Sequence, residues 1–202
     1  RIFAAMLANM DDSVGAVMKQ LRKSGLEENT IVFFLSDNGG PTKELTSSNL
    51  PLRGSKGQMF EGAIRVPFMM QWKGKIPAGQ VYDKPVSSFD IFGTAAANCA
   101  GATKPKQVEG VDLIPYITGK NDGTPHETLY WRQGGKTALR HGDWKLVRMG
   151  KRLTPGKSKW QLYDLSKDIS EENNLATAQP DRVAELVKIW EKLNGEMAKP
   201  RF

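Results

Sequence analysis

The run Ile31-Val32-Phe33-Phe34-Leu35-Ser36-Asp37-Asn38-Gly39-Gly40-Pro41 decides how the fold is read. Five apolar residues in succession, with β-branched and aromatic members, match a strand buried on both faces, as in a parallel sheet. Polar, turn-forming residues follow at once. In open α/β sheets, functional groups gather at the carboxyl ends of strands. Asp37 and Asn38 stand at such an end and offer hard oxygen donors of the kind calcium and magnesium prefer. Asp-Asn-Gly-Gly is also ordinary turn chemistry, so on local pattern a metal site and a plain turn both remain open.

Upstream, Ile2, Phe3, Met6, Leu7, Met10, Val14, Val17, Met18 and Leu21 recur in steps of three and four, which predicts a long amphipathic helix. Arg22 and Lys23 suit its last turn and Gly25 its closure. Helix, short turn and apolar strand together define an α/β chain. Downstream, Val66 to Trp72 reads as a second buried strand. Ser88 to Ala100 reads as a small-residue helix, with Phe89, Phe92, Ala96 and Cys99 on one face and Cys99 as a buried small hydrophobe. A Lys/Pro-rich linker at 101–107 and a short apolar stretch, Val111 to Ile117, precede the turn-rich residues 119–125.

A boundary there separates residues 1–122 from 123–202. The second part carries strand-like runs at Thr128–Trp131, Thr137–Arg140, Trp144–Met149 and Trp160–Leu165, with a tight turn at His141-Gly142-Asp143. A helix opens at Pro180-Asp181 and aligns Val183, Leu186, Val187, Trp190, Leu193 and Met197. The expectation is a small antiparallel sheet with a packed C-terminal helix.

Composition narrows the classes. The chain has 202 residues, 39% hydrophobic and 25% charged, which suits a globular fold and excludes a disordered tail. No apolar run approaches the roughly 20 residues of a membrane-spanning helix, so no membrane partner is expected. One cysteine, Cys99, excludes an internal disulfide framework and a cysteine-built zinc site. The chain opens on Arg1 and runs straight into helical periodicity, which suggests a piece of something longer.

The net charge of +7 is concentrated between Arg132 and Trp160, where nine basic residues face Asp143 alone. Basic residues alternating along strands read first as a solvated sheet face. No motif or aromatic interleaving supports nucleic acid.

Two more segments complete a pattern. In Pro51-Leu52-Arg53-Gly54-Ser55-Lys56-Gly57, the glycines around Lys56 would let backbone and ammonium approach an anion. It is not a P-loop, because Gly57 rather than Ser or Thr follows Lys56. Then comes Glu61-Gly62-Ala63-Ile64-Arg65-Val66-Pro67.

Taken in order, Ser36–Gly40, Leu52–Gly57 and Glu61–Pro67 resemble the C-terminal half of a type I sulfatase, within the alkaline-phosphatase-like superfamily. The resemblance continues through Ser87-Ser88-Phe89-Asp90-Ile91, Glu109-Gly110-Val111-Asp112-Leu113, Trp160-Gln161-Leu162-Tyr163-Asp164-Leu165 and Asn173-Asn174-Leu175-Ala176. It implies that Asp37 and Asn38 are ligands of an active-site Ca2+ or Mg2+ and that Lys56 contacts the substrate sulfate. A cation and an ammonium suit sulfate ester cleavage, which builds charge on the leaving and sulfuryl oxygens. Arg53 is a lesser candidate for such a contact and reads first as a structural salt bridge beneath the loop. His126 and His141 read as surface residues at turns. By resemblance, His141, Trp131 or Arg132 could meet the organic part of the substrate.

The resemblance also implies pieces that this sequence lacks. The family nucleophile is a formylglycine made from Cys or Ser in Cys/Ser-x-Pro-x-Arg. Cys99 is followed by Gly101 and Thr103 at the positions of Pro and Arg, and Pro51-Leu52-Arg53 has Asn49 at the nucleophile position. Asp11-Asp12, inside the first helix, cannot stand in for the paired aspartates of the family's N-terminal metal shell. The expected activity of the complete enzyme is hydrolysis of a sulfate monoester, on a carbohydrate or aryl group, with no turnover by these 202 residues alone. The rivals are a phosphoester or phosphonate hydrolase of the same superfamily, and a non-catalytic module that binds anionic glycans through the basic window. Exposed strand edges predict self-association or pairing with the missing N-terminal segment. By resemblance alone, the compartment is extracytoplasmic.

Overall fold

The computed structural model describes residues 1–42, 47–98, 108–150 and 159–198. Cys99, the linker at 101–107 and the basic residues Lys151, Arg152 and Lys157 lie outside the described residues. The chain divides into two compact units that interleave in sequence: residues 1–35 with 67–126, and residues 36–66 with 127–202. The sequence-based boundary at 122/123 is a single cut, whereas here the residues from Ser36 to Val66 group with the C-terminal sheet.

In the first unit, helix α1 (Ile2–Lys23) forms as its periodicity predicts, with Arg22 and Lys23 in the last turn. Gly25, at φ +67°, reverses the chain after it. No residue of α1 is buried, so its apolar stripe has no covering layer among the described residues. Strand β1 (Val32–Leu35) pairs with β2 (Phe68–Gln71), and the pairing is antiparallel, Val32 opposite Gln71 and Leu35 opposite Phe68. This corrects the expectation of doubly buried parallel strands. All four residues of β1 are half-buried, and β2 alternates half-buried with exposed. An apolar run of this length fits either strand direction, and a ribbon with a single neighbour leaves its faces partly open. Phe33 and Phe68 meet edge-to-face at 6.2 Å across the diagonal of the pair.

Helices α3 (Phe89–Asn98) and α4 (Ile114–Ile117) complete this unit. The N-terminus of α3 is a reciprocal cap: Ser87 Oγ accepts the Phe89 N–H, and Asp90 Oδ2 accepts the Ser87 N–H at 2.7 Å.

In the second unit, a short helix α2 (Glu61–Ile64) precedes a four-stranded antiparallel sheet in the order β3-β4-β5-β6. Its strands are β3 (Thr128–Gln133), β4 (Lys136–His141), β5 (Trp144–Arg148) and β6 (Gln161–Asp164). Gly142, at φ +57°, makes the two-residue β4–β5 turn that the sequence predicts.

Both faces of this sheet are covered. Leu139, Leu146 and Leu162 pack under Leu186 and Trp190 of α5 (Pro180–Glu196). Ala138, Val147 and Tyr163 pack on the other side against Met59 and Phe60. Each fully buried Leu contributes about 1.5–3 kcal/mol. Two-sided burial explains why three successive residues are buried in each of β4, β5 and β6, with no exposed position between them.

No helix among the described residues is long and apolar enough to cross a membrane.

The basic window is not a solvated face. Lys145 is fully buried, hydrogen-bonded to Glu61 at 2.7 Å and ion-paired with Glu171 at 2.9 Å. The Arg148 guanidinium stacks on Trp160 and Trp190 at 4.3 and 4.8 Å, and burial lowers its pKa. Lys136 Nζ donates to Gly57 O. The even spacing of cations along the strands cannot reveal that several of them point inward onto partners distant in sequence.

Candidate functional site

The loop after β1 is held by its own side chains. Ser36 Oγ donates to Asn38 O, Asp37 Oδ1 accepts the Asn38 N–H, and Asn38 Nδ2 donates to Gly39 O. Asp37 stays exposed and Asn38 half-buried. A second loop, residues 49–58, lies against it. Asn49 is the rivet: its Oδ1 accepts the Gly40 N–H at 3.1 Å, and its Nδ2 donates to Gly40 O and Gly54 O at 3.1 and 3.0 Å. The Lys56 N–H also reaches Gly40 O, at 3.4 Å. Gly54 and Gly57 hold φ of +95° and +80°, values that a β-carbon disfavours. Lys56 between them is exposed.

Helix α2 joins the two loops. The Gly62 N–H donates to Arg53 O at 2.7 Å, and the Gly39 N–H donates to Ala63 O at 2.9 Å. A Cβ on Gly62 would fall 2.7–2.8 Å from the carbonyl oxygens of Leu52, Arg53 and Gly54. Glycine at these positions therefore sets the closeness of the loops.

The structure brings Asp37, Asn38 and Lys56 onto two loops stitched to one another. It engages the other candidates elsewhere. Arg132 bonds Asn194 Oδ1 at 2.7 Å and Ala198 O at 2.5 Å, and Trp131 packs beside the Met59–Phe60 cluster. His141 Nδ1 shares a hydrogen with Thr128 Oγ1 at 2.7 Å. Arg53 is structural, but through different partners from the predicted salt bridge. Its NH1 donates to Tyr163 Oη and Glu171 O, and its guanidinium lies 4.1 Å over Phe60. Burial raises the Tyr163 pKa, which keeps that hydroxyl neutral.

His126 is not a surface residue. Its side chain is 12% exposed, and its Nε2 lies 2.8 Å from the buried Asp90 carboxylate. A histidine after a turn-rich segment carries no signal that a distant aspartate will enclose it.

The sequence reading missed Asn49, Glu61, Lys145 and Glu171. Only Glu61, an acid placed before Gly-Ala in an apolar context, offered a local hint.

The donor chemistry of this chain fits a hard divalent ion in part. Asp37 supplies a carboxylate, and Asn38, whose Nδ2 is spent on Gly39 O, retains an amide oxygen. Such an ion takes about six to eight oxygens. Among the described residues no cluster of three or more His, Cys, Asp or Glu could hold a metal. Asp37 and Asn38 offer two such oxygen donors.

Comparisons with known proteins show the family. Residues 2–101 match the sulfatase family model, and residues 55–199 match that of the N-sulphoglucosamine sulphohydrolase C-terminal region. The chain belongs to the type I sulfatases, as a C-terminal part of the alkaline-phosphatase-like fold. It is 29% identical to human steryl-sulfatase over 95% of this chain and 39% of that protein. It is 30% identical to bovine arylsulfatase A over 99% of this chain and 43% of that one. Ps i-CgsB in complex with k-i-k-neocarrahexaose superposes with a TM-score of 0.85 at 29% identity, over 99% of this chain and 44% of that one. The chain thus spans about two fifths of the length of these relatives.

Proposed function

We propose that this chain supplies the metal-donor pair Asp37 and Asn38 and the sulfate-binding Lys56 of an enzyme that hydrolyses a sulfate monoester, on a carbohydrate or aryl group. The observation that carries this reading is the seam at Gly40. One carbonyl accepts both the Asn49 amide and the Lys56 N–H, so an exposed carboxylate and an exposed ammonium are held on adjoining loops.

Within that reading, Asp37 brings full negative charge to the cation and Asn38 a neutral carbonyl oxygen. A Ca2+ or Mg2+ ion held by this pair would supply positive charge toward the sulfate group. The Lys56 ammonium acts on the same group, stabilising charge that grows as the ester bond breaks. The nucleophile of this reading is a formylglycine outside these residues, because the 202-residue sequence contains no Cys/Ser-x-Pro-x-Arg. Similarity to the family motivates the sugar or aryl part of the substrate and an extracytoplasmic compartment in this reading.

The test uses the full-length enzyme of this reading. Aryl sulfate hydrolysis should exceed aryl phosphate and phosphonate hydrolysis, should require divalent metal, and should fall about a hundredfold or more in Lys56→Ala. Equal or faster phosphoester turnover would overturn the sulfatase reading. So would full activity in Lys56→Ala.

A further inference from the structure

We infer that the buried Lys145–Glu61–Glu171 cluster is the positioning device of the site, fixing the metal-donor loop and the anion loop against one another through helix α2. This inference rests on the assignment of Asp37, Asn38 and Lys56 above.

Three observations meet here. First, the cluster is charged and dry: Lys145, Glu61 and Glu171 are 0%, 2% and 0% exposed. Well-packed apolar side chains can replace buried ion pairs with little or no loss of stability. What charge adds is direction. Lys145 Nζ spans the two carboxylates at 2.7 and 2.9 Å, and Glu171 Oε2 accepts the Glu61 N–H at 2.6 Å. The side chain and the backbone of Glu61 are therefore both held.

Second, α2 carries one bond to each half of the site. Gly62 N–H reaches Arg53 O in the loop that bears Lys56, and Ala63 O receives Gly39 N–H in the loop that bears Asp37 and Asn38. A shift of α2 moves both loops at once. Glu171 also holds the anion loop directly, since its carbonyl accepts Arg53 NH1 at 2.8 Å.

Third, Glu171 is the one non-glycine residue at positive φ among the described residues, at +54°. Such a conformation persists where the surroundings over-determine it, and it concentrates near functional sites. Here the surroundings are three bonds from one residue to the supports of two loops. Lys145, Glu61 and Glu171 are thus positioning residues, acting through Gly62 and Ala63 on side chains that they do not touch.

The experiment measures binding of divalent ion alone and of inorganic sulfate, by calorimetry on the whole protein, in Lys145→Met, Glu171→Gln and Leu186→Ala. Leu186 lies in the core on the opposite face of the sheet and serves as the control for general destabilisation. Expected is a loss of about tenfold or more in both affinities for Lys145→Met, the usual cost of removing an outer-shell support, with kcat falling more than KM. Leu186→Ala, with a comparable fall in Tm, should bind both ligands as wild type does. Should Lys145→Met not fold, Glu171→Gln reports instead, with a joint loss of about threefold or more expected from the milder change. Equal affinities in the cluster variants and the Leu186 control would overturn the inference. If Asp37→Ala and Lys56→Ala also bind like wild type, the site assignment itself falls and takes the inference with it. If those two lose binding while the cluster variants keep it, only the inference falls.

Discussion

Gly39 and Gly62 approach so closely that a Cβ on Gly39 would overlap the carbonyl oxygen of Gly62. The contact is backbone on backbone, so no side-chain rotation can relieve it. Gly39→Ala should therefore open the seam between the two loops and cost about 1–3 kcal/mol, as overpacking does. Urea unfolding would show the loss, and calorimetry with divalent ion would show weaker binding. Gly15→Ala, where a Cβ meets nothing within 4 Å, should stabilise or be neutral. Wild-type stability in Gly39→Ala would mean that the close approach is not fixed.

Asp90 is fully buried and makes contacts in three directions. It accepts the N–H groups of Ser87 and Val111 at 2.7 and 2.9 Å and meets His126 Nε2 at 2.8 Å. Asp90→Ala leaves those donors unpaired inside the protein, and removing one partner of such a buried pair costs about 3–5 kcal/mol. Thermal melts should place Asp90→Ala well below Asp90→Asn, which keeps one acceptor oxygen. A double-mutant cycle with His126→Ala should show coupling above about 0.5 kcal/mol. Strict additivity would mean that the pair does not interact.

Burial pushes the Glu171 carboxyl above its ordinary value of 4.5, and the attraction of Lys145 offsets this only in part. Lys145 and Glu61 are the charged groups that face it. A carboxyl whose folded pKa is raised binds its proton more tightly when folded. Its contribution to stability is complete below the unfolded value and is lost as pH rises through the folded one. Urea midpoints at about pH 5 and about pH 7 should therefore favour the lower pH by more in wild type than in Glu171→Gln, which cannot titrate. The same pH response in both proteins would remove Glu171 as the source.

Much of the fold and the adjoining loops of the candidate site were legible because the signals were local. A strand followed at once by Asp37-Asn38-Gly39-Gly40, and glycines flanking Lys56, are read from adjacent residues. So are the hairpin at Gly142 and the start of α5 at Pro180. What failed depended on distant residues. The direction of the β1–β2 pair is set by what lies beside Val32–Leu35, which an apolar run does not encode. Lys145 looks like one more cation on an alternating strand until Glu61 and Glu171 are seen to enclose it. Asp90 and His126 meet for the same reason, across 36 residues.

The buried Lys145 has a consequence for anionic glycans. A glycan-binding face would need the strand cations in solvent, and Lys145 has no exposed surface. Lys145→Met should leave the salt concentration that elutes the protein from heparin unchanged. It should also lower stability by about 3–5 kcal/mol, because Glu61 and Glu171 would then face each other uncompensated. Elution at clearly lower salt, from a protein of unchanged Tm, would restore the glycan-binding reading.

The exposed stripe of α1 leads to a further expectation, for residues 1–202 expressed alone. Ile2, Met6, Val17 and, less fully, Leu7 and Met10 lie open to solvent, on one face by their spacing. Contiguous apolar patches of this kind mark association surfaces on soluble proteins. The edges of the β1–β2 ribbon, unpaired among the described residues, add a second route to association. Multi-angle light scattering at micromolar concentration should therefore report dimers or larger species. The double substitution Met6→Lys, Met10→Glu, which places charges at i and i+4 on that stripe, should shift the distribution toward monomer while leaving the far-ultraviolet dichroism intact. A clean monomer from the unsubstituted chain would show that neither the stripe nor the ribbon edge drives association. Association that survives the double substitution would assign it to the ribbon edge, where Met69→Lys on the exposed face of β2 is the next change to make.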